Sequence, residues 1–244
     1  RTKKHKKRKV SFKTKALRTF PAPTKTVTTH YESTTSGTTT LATCPALGIV
    51  RLIALNNDSN SLDGRSGQRI HLKGFRFRAH YENRLLRPQV IHVAFVSPRD
   101  GRVTGGPVPF SQSFFKRLGL GGTGYATTEI DFGDVALNGI HYATMPINTD
   151  TYNVLWHLRF KLGVTSTTGG YSSGELKNYR SVSRWIKINK TIEFPNVGSS
   201  LPEPTQQIYM VVWACPWDYD PVSQEPVVDG LQYQSHVVMC YSRI

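Results

Sequence analysis

Several short patterns in this chain have spacings that can support catalysis or ligation. Gly170, Ser172 and Gly174 satisfy G-x-S-x-G, and Asp229 and His236 follow in the order of a hydrolase triad. A nucleophile elbow needs a buried strand that runs straight into a helix over a parallel sheet, so that the serine is held at a sharp turn. The flanks here are TSTTG and ELKNYR, with no strand–helix alternation, and the pattern reads as an irregular loop. Gly119, Gly121 and Gly124 satisfy G-x-G-x-x-G, but a dinucleotide site needs a strand before the glycines and a helix after them. FFKRL before them has helical spacing and YATTEIDF after them is extended, so a glycine loop is expected. Asp218 and Asp220, near Asp229, are of a type that suits a hard cation. They sit beside Trp217 among prolines, as a solvated loop would. None of the eight histidines falls in an H-E-x-x-H or H-x₃₋₅-H spacing suited to zinc. The sequons at Asn57 and Asn189 read as chance matches. No catalytic residue, metal or cofactor is expected, and the protein is read as a non-enzyme.

The chemistry that remains is electrostatic. Arg1, Lys3, Lys4, Lys6, Lys7, Arg8 and Lys9 place seven cations in the first nine residues. With Lys13, Lys15, Arg18 and Lys25 they make eleven bases and no acid in residues 1–31. The remainder holds 20 bases against 16 acids, so most of the formal charge of +15 belongs to one arm on a nearly neutral body. Such a segment is suited to phosphate. Each single-strand phosphate contact adds about −0.7 to the salt slope, and eleven contacts set an upper bound of roughly −8, blind to sequence. KKHKKRK would also serve as a nuclear localisation signal, which makes a nuclear import receptor a second partner. Arg65, Arg69, Lys73, Arg76, Arg78, Arg84 and Arg87 form another basic cluster. In an alternating strand Arg76 and Arg78 point the same way, opposite Phe75 and Phe77, and are expected to bind nucleic acid as the arm does. An ordinary solvated sheet face, or salt bridges between subunits, would use the same residues.

The elements that must carry these groups are strands. With 244 residues, 38% of them hydrophobic, the chain can build a sizeable core, which excludes wholesale disorder. No apolar run approaches the roughly 20 residues of a membrane span, and no membrane partner is expected. Cys44, Cys215 and Cys240 are too few and too scattered for a disulfide scaffold, as in a reduced, intracellular protein. Residues 1–31 are expected to be disordered without polyanion. The Thr-rich stretch that begins at Thr24 reads as a first strand or an extended linker. Strands are predicted over 48–56, 68–81, 89–96, 152–162, 184–194, 207–215 and 235–242, with a weaker one over 126–132. In 68–81 the apolar parity changes between Leu72 and Phe75, which predicts a bulge at Gly74. QVIHVAFV is apolar on both parities, as a strand buried on both faces would be. The 152–162 segment alternates, with Tyr152, Val154, Trp156, Leu158, Phe160 and Leu162 expected on one face. A short helix is predicted over 109–118, where Phe110, Phe114 and Phe115 follow a proline. Long strands with long Gly- and Pro-rich connections point to an all-β fold. It is expected to be a single eight-stranded jelly-roll sandwich over residues 32–244, preceded by the basic arm of residues 1–31.

Four segments together resemble the coat proteins of small circular single-stranded DNA viruses, most of all geminivirus-like capsid proteins. They are GRSGQRIHLKGFRFRAHYEN (64–83), QVIHVAFVSPRDGR (89–102), SRWIKINKTIEFPN (183–196) and QQIYMVVWAC (206–215), in the family's order. The Cys/His cluster of some geminivirus coat proteins has no counterpart here, which leaves circovirus-like and genomovirus-like capsids open as well. The resemblance implies a homo-oligomeric icosahedral shell, found in the virion and assembled in the host nucleus. Arms would turn inward onto a single-stranded DNA genome. Charge alone treats RNA in the same way, and a monomeric cellular β-sandwich that binds nucleic acid is the competing expectation.

Overall fold

The computed structural model describes residues 24–34, 39–40, 46–55, 65, 67–83, 88–99, 114–121, 124–130, 142–164, 177–195, 204–216, 226–227 and 231–243. Every regular element named within them is a strand. In chain order these are β1 (Lys25–Thr34), β2 (Thr39–Thr40), β3 (Ala46–Arg51), β4 (Arg69–Asn83), β5 (Gln89–Pro98) and β6 (Phe115–Gly121). They continue with β7 (Gly124–Ile130), β8 (Tyr152–Leu162), β9 (Tyr179–Glu193), β10 (Tyr209–Pro216), β11 (Pro226–Val227) and β12 (Leu231–Arg243). The described residues are nearly all β, with two four-stranded antiparallel sheets ordered β1-β12-β4-β9 and β3-β10-β5-β8. Two small pairs, β6–β7 and β2–β11, stand beside them. The Thr-rich stretch is a strand: β1 pairs with β12 from Lys25↔Tyr241 onward and crosses the 31/32 boundary drawn from charge.

Period-two apolar patterning builds the core between the sheets. Phe75, Phe77 and Tyr81 of β4 reach across to Phe95 of β5 and to Trp156 and Phe160 of β8, with ring centroids 5.3 to 5.9 Å apart. Tilted and edge-on ring contacts of this kind add to the burial of apolar area. Val182, Ile186 and Ile192 of β9, Met210 and Val212 of β10, and Val237 and Met239 of β12 complete this core. The bulge expected at Gly74 is present. Against β12 Lys73 is the extra residue, and against β9 it faces two unpaired residues, Ile188 and Asn189. It moves the buried set from Ile70 and Leu72 to Phe75, Phe77, Ala79 and Tyr81.

β5 is buried on both faces, as its continuous apolar run predicts. Its second face and that of β10 hold Val90, Ala94, Val96, Val211 and Trp213. Phe114, Phe115, Tyr142, Ala143, Met145 and Ile147 cover that face. The helix expected over 109–118 is corrected here. Phe115–Gly121 is strand β6, paired with β7, while residues 109–113 lie outside the described residues. Phe114 and Phe115 both pack edge-on against Trp213, at 5.7 and 5.6 Å. Gly121 pairs with Gly124, so the glycine-rich motif forms the tip of the β6–β7 hairpin. The single-face alternation of 152–162 is corrected too. The pairing of β8 with β5 skips Leu155, leaving Tyr152 in the outer cluster and Val154 exposed, while Trp156 to Leu162 keep the core phase.

Candidate nucleic-acid interface

The outward face of the β1-β12-β4-β9 sheet is built from polar and cationic residues that alternate with the core set. On β4 these are Arg76, Arg78 and His80, all exposed, followed by the half-buried Glu82 beside Tyr179. Antiparallel pairing sets Arg76 beside Trp185 of β9 and Val238 of β12, and sets Arg78 between Ser183 and His236. His80 lies beside Ser181, with the ring Nδ1 and the serine Oγ 3.0 Å apart. Two adjoining shallow depressions of about 430 and 440 Å3 share Arg78 and Ser183. One is lined by Arg76, Phe77, Arg184 and Trp185, the other by His80, Gln234 and His236 among others, and no acid among the described residues lines either.

Among the described residues Trp185 is the largest side chain left open on this face, 49% exposed. Gly74 makes its position possible. A Cβ at Gly74 would overlap the Ile186 carbonyl oxygen and lie 3.0 Å from Cζ2 of the Trp185 ring. The absent side chain therefore lets β9 close onto the bulge and lets the indole lie across it. Tyr179, 50% exposed, stands at the other end of β9 beside His80, with ring centroids 6.0 Å apart.

The field over the face is positive. Among the described residues no carboxylate pairs with Arg76, Arg78, Arg184 or Lys187, while Arg69 at the sheet's end is held by Glu193 at 2.8 Å. Cys240 lies beneath the arginines. Burial pushes its thiol up, and the charges of Arg76 and Lys73 pull it the other way.

Of the cations expected to bind nucleic acid, Lys25 opens β1, the strand next to β12 in this sheet. The Lys73 ammonium donates to the Thr24 hydroxyl, which brings the entry to β1 against the bulge of β4. Arg1, Lys3, Lys4, Lys6, Lys7, Arg8, Lys9, Lys13, Lys15 and Arg18 lie outside the described residues, as do Arg84 and Arg87. Arg65 does not belong to the stripe. It is 3% exposed, stacks its guanidinium on Phe194 at 4.3 Å and donates to the Gly67 carbonyl. Trp185, Tyr179, Arg184 and Lys187 were not singled out from sequence. Odd-numbered alternation along β9 signals all of these except Arg184, but only the register with β4 sets Trp185 beside Arg76.

The hydrolase-like pattern gains no geometry. Ser172 and Asp229 lie outside the described residues, and His236 stands beside Arg78 on the basic face. Asp218 and Asp220 also lie outside them. Among the described residues no group of three or more His, Cys, Asp or Glu side chains could hold a metal ion. The outer face of the other sheet contains one polar constellation. His92 and His157 stack at 5.2 Å beside Trp213, with His92 Nδ1 and His157 Nε2 3.0 Å apart. Burial, His157 and Arg159 push His92 from 6.5 to about 3. Burial and Arg159 also lower His157.

No protein-family model and no curated protein matches the chain.

Proposed function

We propose that this chain is a structural capsid protein, a jelly-roll subunit that self-assembles into a small icosahedral shell and packages single-stranded DNA. The strand order carries the proposal. Counted in chain order, the eight strands of the two main sheets read 1-8-3-6 and 2-7-4-5. Each strand neighbours its counterpart counted from the other end of the chain, as in one long hairpin rolled on itself. Sandwiches of this kind serve in viral capsids and in lectins.

The unequal outer faces support the capsid role over the others. One is covered by the apolar cluster around Trp213; the other is open, cationic and next to the strand that the arm enters. A subunit of this design can present charge to one side of a wall while its near-neutral body packs against copies of itself. Arm charge then offsets the repulsion among packaged phosphates. The choice of DNA follows from the resemblance of the four sequence segments, since the phosphates of RNA would be neutralised in the same way.

Deletion of residues 1–23 leaves β1 intact and removes all but one of the eleven arm bases. The shortened protein should keep its circular dichroism spectrum and lose its packaged nucleic acid, read as absorbance at 260 against 280 nm. Shells that package normally without the arm would refute the proposal.

A further inference from the structure

We infer that Trp185 is a stacking subsite for an unpaired base, with Arg76 and Arg78 placed to take the phosphates on either side, so that the sheet face itself selects single strands over duplex. This rests on the nucleic-acid reading of that face and adds to it a contact that the arm cannot make. Lysines and arginines strung along the arm neutralise any polyphosphate. A half-exposed indole offers a π-face that only a base freed from pairing can cover.

Three observations carry the inference. Trp185 is 49% exposed, although the core has room for large aromatic groups such as Trp213 and Tyr81, both fully buried. Its ring lies across the space left by the missing side chain of Gly74, and Arg76 is its cross-strand neighbour. The depression beside it is lined by Arg76, Arg78 and Ser183, which supply cations and a hydroxyl, and no acid among the described residues lines it. An apolar protein partner would meet the guanidinium groups of Arg76 and Arg78 there, and a duplex would cover the arginines but leave the indole without a base.

The test uses the full chain in fluorescence anisotropy with short oligothymidylate, oligouridylate and a DNA duplex, and compares W185A, W185F and R76A/R78A. Near-UV circular dichroism confirms that each variant is folded. W185A should weaken both single strands by about five- to 140-fold, the range found for one stacked base. It should leave duplex affinity and the salt slope unchanged, and W185F should recover part of the loss. R76A/R78A should weaken single strands and duplex together. W185A that binds oligothymidylate as tightly as the wild type, or that loses duplex binding equally, overturns the stacking subsite. If R76A/R78A and deletion of residues 1–23 still weaken binding in that case, the nucleic-acid reading stands without it. Failure of the wild type to bind any of the three overturns both. Indole emission that shifts with protein concentration and not with oligonucleotide marks a contact between subunits and also overturns the inference.

Discussion

Arg76 and Arg78 stand two residues apart on β4 and face solvent, flanked by Trp185 and Ser183 on one side and Val238 and His236 on the other. If both contact phosphate, R76A/R78A should reduce the magnitude of the single-strand salt slope by roughly 1.4, at about 0.7 per contact. Exposed sites away from the core usually change stability by less than about 0.5 kcal/mol, so the melting temperature should hold. A titration of affinity against salt, with a thermal melt alongside, reads both. The direction of these two side chains was legible in the sequence because it follows from strand parity alone. Their neighbours were not, because pairing register depends on contacts between distant segments. Arg65 shows the opposite limit. Its place in a run of bases suggests a solvated cation, yet it folds under the sheet onto Phe194, a partner far along the chain.

At the scale of elements, the β4 bulge joins the core to the interface. The parity change between Leu72 and Phe75 could be read directly, whereas the reason for glycine at its centre lies on β9. G74A would drive a Cβ into the Ile186 carbonyl, at a φ of 157°. It should cost roughly 3 kcal/mol, at the upper end for overpacking. For a chain of this size that lowers the melting temperature by roughly 6–12 °C, measurable by calorimetry. The strand pair β5–β8 makes a second prediction. His92 and His157 share a hydrogen bond that needs one ring to donate and the other to accept, and a doubly protonated pair has no acceptor. His92 is lowered from 6.5 to about 3 in the fold, so between these values the unfolded chain binds more protons and stability rises with pH. Unfolding free energy should be level with respect to His92 above pH 6.5 and fall as the pH drops below it. By pH 4 roughly 3 kcal/mol should be lost at 1.36 kcal/mol per unit, and H92Q should flatten the curve in urea titrations. The histidines were visible in the sequence; that β5 and β8 stack them beside Trp213 was not. The helix expected at 109–118 fails for a related reason. Phe114 and Phe115, with ring centroids 4.9 Å apart, are both drawn to the same distant indole, and that packing outweighs local spacing.

For the whole molecule, the division of charge between a cationic arm and a nearly neutral body was plain from composition. The all-β class and the placement of most long strands followed from period-two patterning. The sheet order did not, because partners such as β1 and β12 lie at opposite ends of the chain and no local pattern names them. That order gives the molecule one covered outer face and one open basic face, and it puts the arm's entry on the basic side. Shell formation and packaging are the central claim. The most direct measurement is electron microscopy of the purified full chain after nuclease treatment, with extraction of whatever nucleic acid survives. Closed shells of uniform diameter holding protected single-stranded DNA are expected. Dispersed 27.4 kDa monomers with no particles and no protected nucleic acid would contradict it.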